Sequence, residues 1–173
     1  NYIELPSFVT PSTNAIPRGG KYIGRFGRKA GAYNLHNQTA NAYHQDMGIA
    51  SDFIPVDILT GQYAAPEVQS QAVLDVVFYL QTLKAPIQRT PSDATVGTGK
   101  QLFIQIGCEA CHRANLQTSV SDIAPLSQVT FHPYTDLLMH DMGSGLDDGY
   151  TEGTALTSEW RTTPLWGLGL SAN

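Results

Sequence analysis

The chain has 173 residues, 42% of them hydrophobic and only 14% charged, with a formal net charge of −5. That length holds one ordinary domain or two small ones, with apolar residues enough for a core. The acidic balance and the lack of a basic stripe exclude nucleic acid as the expected partner, and no apolar run reaches the length of a transmembrane span.

Sixteen glycines and ten prolines predict short helices joined by long loops. Residues 1 to 34 carry Pro6, Pro11, Pro17, Gly19, Gly20, Gly24 and Gly27, and read as irregular loop. Arg18, Lys21, Arg25, Arg28 and Lys29 place half of the chain's ten cations within it. Such a cluster is either a solvated loop or a set of donors for carboxylates, which planar guanidinium groups recognise bidentately. A short helix is predicted over 35–45, ending at Asp46-Met47-Gly48. The clearest helix is Pro66 to Lys84, with Pro66 suited to a first helical position and Val68, Ala72, Val73, Val76, Val77, Leu80 and Leu83 at helical spacing. Pro86 closes it, and the polar stretch 87–95 reads as a linker. A further helix is predicted from Asp93 or Ala94 to Ile106, with Gly99 and Phe103 one turn apart.

That helix leads into Cys108-Glu109-Ala110-Cys111-His112. Two thiols two residues apart, followed at once by a histidine, form the attachment signature of a c-type haem. Each thiol adds to one vinyl group of the ring, which leaves the adjacent imidazole, His112, as the proximal iron ligand. A redox disulfide would accompany a βαβ pattern, and a structural zinc site would need four Cys/His ligands; the chain offers neither. Covalent haem attachment happens outside the bacterial cytoplasm, so a periplasmic or otherwise exported protein is expected. The chain begins at Asn1 rather than a methionine and reads as processed or cut.

Beyond the motif a short helix is predicted over Tyr134 to His140. His44-Gln45-Asp46-Met47-Gly48 is echoed by His140-Asp141-Met142-Gly143, and two of the chain's three methionines lie in the pair. A thioether downstream of the attachment site is the usual second axial ligand in small cytochromes. Met142 is the candidate, with Met139 its rival on the same helical face and His140 or His132 as bis-histidine alternatives. Met47 is a possible ligand of a second haem.

Several blocks together resemble the di-haem oxidoreductase family, also described as thiol oxidoreductases and related to bacterial di-haem cytochrome c peroxidases and MauG-type enzymes. They are residues 24–30 (GRFGRKA), 46–49 (DMGI), 107–112 (GCEACH), 133–143 (PYTDLLMHDMG) and 159–169 (EWRTTPLWGLG). Family members commonly carry tryptophan where Arg28 stands and leucine where Met139 stands, so the resemblance implies Met142 as the ligand.

The resemblance implies a mainly α chain of class I cytochrome c-like haem domains. Residues 1–86 would be the C-terminal half of a first such domain whose own CxxCH is missing. Residues 87–173 would be the N-terminal part of a second, with its haem on Cys108 and Cys111. The missing halves are expected on another chain or in further sequence. Two haems c are implied, one relaying electrons and one meeting substrate, for which peroxide is the candidate. A His112/Met142 iron has no open position, so it would be the electron-transfer centre of a peroxidase-like oxidoreductase that exchanges electrons with a redox partner protein. The alternative is an electron-transfer cytochrome or haem-binding subunit without catalysis. Arg25 or Arg18, and Arg161, would bind propionates. Trp160 and Trp166 would pack against haem or carry electrons between haems. Tyr134 is either core or a distal hydrogen-bond donor.

Overall fold

In the computed structural model, residues 1–11 and 15–168 are described. Helix α1 (Leu35–Asn41) starts where the Asn34 side chain accepts the Asn37 N–H, and it runs on into a π-helical turn over Ala42–Asp46. Helix α2 (Ser70–Gln81) begins four residues later than the position of Pro66 suggests. Residues 66–69 instead lie outside the helix, with Gln69 extended, and Glu67 and Val68 both donate their N–H to the Ala50 carbonyl. The helix start is capped from outside, since Asp52 accepts both the Ser70 N–H (2.6 Å) and the Ser70 hydroxyl (2.8 Å). Those bonds hold the Asp52 carboxyl below its ordinary pKa. Helix α3 (Ala94–Gln105) forms within the bounds its sequence predicts, and the Asp93 side chain caps it by accepting the Thr95 N–H.

Three two-stranded antiparallel sheets accompany the helices. They pair β1 (Tyr2–Ile3) with β2 (Tyr22–Ile23), β3 (Leu116–Gln117) with β4 (Thr130–Phe131), and β5 (Met139–Asp141) with β6 (Glu159–Arg161). The expectation of a mainly α, cytochrome c-like chain is therefore corrected. Helices of 7, 12 and 12 residues stand beside small sheets in a chain that is otherwise mostly loop. The predicted helix over Tyr134–His140 is absent because Tyr134 (φ +53°) and Leu137 (φ +60°) take left-handed backbone. Its last residues, Met139 and His140, form β5 and pair with Arg161 and Trp160.

Two compact units divide the chain: Asn1–Leu83 with Met139–Arg161, and Lys84–Leu138 with the residues from Thr162 on. In the first, α1 packs on α2, which buries Val73 and Val77. Ala40, Ile54 and Val56 form a small core with Val9 and Phe53 around it. The turn from Gly24 to Ala32 lies in this unit, closed by Arg25 and Phe26 N–H groups on the Ala32 carbonyl. In the second unit α3 leads through Gly107, in left-handed backbone (φ +85°), into a 3₁₀ turn over Cys108–Ala110. Leu102, Ile104 and Ile106 of this segment are exposed.

His36 of α1 is 5% exposed, meets the Phe53 ring edge-to-face at 3.8 Å, and has no hydrogen-bond partner among the described residues on either ring nitrogen. Burial holds its pKa below the ordinary histidine value. The folded state therefore resists a proton that the unfolded chain accepts, so stability is full above the unfolded pKa of about 6.5 and falls as the pH drops through and below it. Melting between pH 7.5 and pH 5 should show this loss, and His36→Phe, which keeps the ring packing, should flatten it. An equal slope in both proteins would contradict the assignment. The carboxylates whose pKa is lowered, Asp52 among them, act in a separate and more acid window.

Candidate functional site

The attachment motif sits at the end of α3 with its histidine already oriented. His112 donates its backbone N–H to the Cys108 carbonyl (2.9 Å), which closes a turn over the motif. Cys108 and Cys111 are half-buried and free. His112 Nδ1 lies 2.9 Å from the Tyr134 carbonyl oxygen. A carbonyl only accepts, so Nδ1 is the donor, which leaves Nε2 as the position that the neutral ring offers to an iron. The unusual backbone of Tyr134 turns that carbonyl toward the imidazole. Phe103 steadies the arrangement, standing edge-on to His112 (6.2 Å) and to Tyr134 (5.9 Å). Two free thiols and a histidine with a bare Nε2 fit a c-type haem.

The segment that carries Tyr134 is fixed by buried bonds. Thr135 is fully buried, accepts the Leu137 N–H and donates its hydroxyl to the Thr162 carbonyl at 2.6 Å. Its own N–H goes to the Arg113 carbonyl. Trp166 donates its indole N–H to the His132 carbonyl and stacks edge-on to Phe131. Arg113, exposed beside His112, lines an open cleft of about 440 Å³ with Glu109 and Asn115. It is a cation that motif reading passes over, although it directly follows the signature.

In the other unit, Arg25 and Arg18 border one cleft of about 260 Å³ with Tyr22, Tyr33 and Asn34. The two tyrosine rings stack at 4.7 Å. Both arginines are exposed, and the cleft suits an anionic carboxylate or propionate. Lys29, predicted to belong to the same cationic loop, does not join them: it is buried at 3% exposure. Its ammonium donates to the carbonyls of Leu156, Thr157 and Glu159, pairs with Asp148 at 3.2 Å, and lies 4.2 Å from the centre of the Trp160 ring. Trp160 in turn donates its indole N–H to the Leu146 carbonyl. Arg161 is half-buried; its Nε donates to the Gly27 carbonyl and its backbone N–H to Arg28. Burial lowers the Arg161 pKa without removing its charge.

Met47 and Met142, the two methionines of the sequence echo, are both about half exposed (55% and 52%) and each directly precedes a glycine in left-handed backbone, Gly48 (φ +70°) and Gly143 (φ +71°). Met142 donates its N–H to the Ser158 carbonyl. Asp141 accepts the Ser158 hydroxyl and the Gly143 N–H, which hold its carboxyl below the ordinary range. Met139 and His140 lie within β5, paired with Arg161 and Trp160.

Residues 12–173 match the family model described as "Di-haem oxidoreductase, putative peroxidase". The chain belongs to the di-haem oxidoreductase family. That match spans the GRFGRKA turn, the attachment motif, the Met142 hairpin and the EWRTTPLWGLG block, whose last residue, Gly169, lies outside the described residues. No curated protein and no solved structure matches the chain. Among the described residues no helix is long and apolar enough to cross a membrane.

Proposed function

We propose that this di-haem oxidoreductase carries a haem c bound through thioethers to Cys108 and Cys111, with His112 as proximal and Met142 as distal ligand. On this reading that centre relays electrons for a peroxidase-like reaction at a second haem. The observation that carries it is the Nδ1–H bond from His112 to the Tyr134 carbonyl, which fixes the tautomer, with two free thiols in the same turn. That bond fixes the orientation of the ring. When bound, the haem supplies one-electron redox chemistry at a potential raised by thioether ligation.

The chain's own residues orient and neutralise. Tyr134 holds the imidazole through its carbonyl, and Phe103 shields one side of it. Arg18 and Arg25 share a cleft suited to the propionates of a second haem, for which Met47 is a candidate ligand. Arg161 has guanidinium nitrogens beyond the one bonded to Gly27 and can serve the same end. The electron path through Trp160 loses ground to a packing role: the Lys29 ammonium over its ring opposes the positive charge that oxidation would leave there. A mature protein in an exported compartment follows from thioether attachment, and a redox partner protein follows from the relay.

The ligand assignment is tested by Met142→Ala in the haem-loaded protein. Loss of the thioether should remove the methionine–iron charge-transfer absorbance and lower the reduction potential, because the weakly basic sulfur favours ferrous iron. An unchanged spectrum and potential would exclude Met142.

A further inference from the structure

We propose that Lys29 is a positioning residue for Met142, an internal cation around which the ligand hairpin is wound. The proposal rests on the reading of Met142 as an iron ligand. The turn from Leu156 to Glu159 supplies four successive carbonyls. Those of Leu156, Thr157 and Glu159 converge on the Lys29 ammonium at 3.1, 3.0 and 3.2 Å. The fourth, on Ser158, points the other way and accepts the Met142 N–H at 2.9 Å. Three carbonyl oxygens drawn to one point need donors between them, since their dipoles repel one another, and here one buried cation supplies all three. Ser158 is the next step of the β5–β6 ladder after Asp141 and Glu159, so its carbonyl faces Met142 while those of Thr157 and Glu159 face the cation, which holds that outer side of the strand in place.

Further bonds brace the hairpin. The Ser158 hydroxyl donates to Asp141 (2.7 Å), and Thr157 donates its hydroxyl to Asp147 (2.9 Å). Asp148 completes the charge balance on Lys29, with the Trp160 face as a further wall. The Lys29 stem enters from the Gly24–Ala32 turn, so the hairpin is tied to a segment more than a hundred residues earlier. Three carbonyls, a carboxylate and a π face form a cage with the chemistry of a monovalent cation site, filled by the side chain itself.

Trimming that side chain should leave a cage that an added small cation fills. In the haem-loaded protein, Lys29→Ala should lose several-fold of the methionine–iron charge-transfer absorbance. Added imidazole should bind its iron about tenfold more tightly, the effect of about 1.4 kcal/mol less competition from the thioether. Ammonium chloride should restore both, while tetramethylammonium chloride at equal ionic strength, too large for the cage, should not. Unchanged absorbance and imidazole affinity in Lys29→Ala would overturn the proposal, even with a lowered melting temperature, because the lysine would then be structural only. Loss that ammonium does not reverse, or that tetramethylammonium reverses equally, would overturn it too. Should Lys29→Ala not accumulate with haem, Lys29→Met keeps the buried stem without the charge: loss of the band supports the role and retention overturns it. Met142→Ala separates the two levels. If it leaves the spectrum unaltered, the ligand assignment has failed; if it removes the band and Lys29→Ala does not, only the positioning role has.

Discussion

Replacing Cys108 and Cys111 together with alanine should abolish covalent haem in the purified protein. Thioethers survive denaturation, whereas a haem held by His112 and Met142 alone dissociates once the chain unfolds. Mass after denaturation should therefore equal the bare chain for the double variant and exceed it by one haem for the natural sequence. Either single variant should keep one linkage and hence the mass increase, at reduced yield. The geometry leads to this expectation, since both cysteines are half-buried and free, Cys108 opening the 3₁₀ turn and Cys111 capping it, with the N–H groups of Cys111 and His112 both on the Cys108 carbonyl. Haem retained by the double variant after denaturation would exclude these cysteines as the attachment points.

Gly24→Ala should destabilise the unit built from Asn1–Leu83 and Met139–Arg161 by about 3 kcal/mol or more, near the upper end for overpacking. A methyl group there would be driven into the Ala30 carbonyl oxygen, and that oxygen belongs to the backbone and cannot swing aside. The Gly24 N–H also donates to the Asn1 carbonyl, so the turn cannot shift without breaking the edge beside β1 and β2. Relaxation would have to open the loop that presents Arg25 on one side and Lys29 on the other. Denaturant unfolding should show a lowered midpoint with little change in slope. By contrast, Gly97→Ala in α3, where a methyl group meets open space, should be stabilising by up to about 1 kcal/mol through helix propensity. Equal effects of the two changes would contradict the packing described for Gly24.

Elements written in local spacing were legible in the sequence. Asp93 announces α3, and the 3.6-residue pattern of Val73 and Val77 marks the buried side of α2. Signals that depend on distant partners were not. The start of α2 is set by Asp52, eighteen residues upstream, and not by Pro66. Met139 and His140 read as the end of a short helix because their pairing with Arg161 and Trp160 lies beyond any local window. Lys29 looks like one more surface cation in a basic loop, because the three carbonyls that bury it come from 127 to 130 residues later. Around the motif the spacing named the thiols and the histidine, but the tautomer depends on a backbone carbonyl. No side-chain pattern reports that Tyr134 contributes through its main chain.

The most direct test of a relay haem working beside a catalytic one is electron paramagnetic resonance of the oxidised, intact protein, with haem counted per molecule. Two haems are predicted: a low-spin signal indifferent to peroxide and removed by Met142→Ala, and a second centre that shows a high-spin signal shifted by peroxide, if necessary after partial reduction. One haem in the complete protein, with the missing domain halves present, or low-spin signals alone that neither peroxide nor partial reduction alters, would contradict the account.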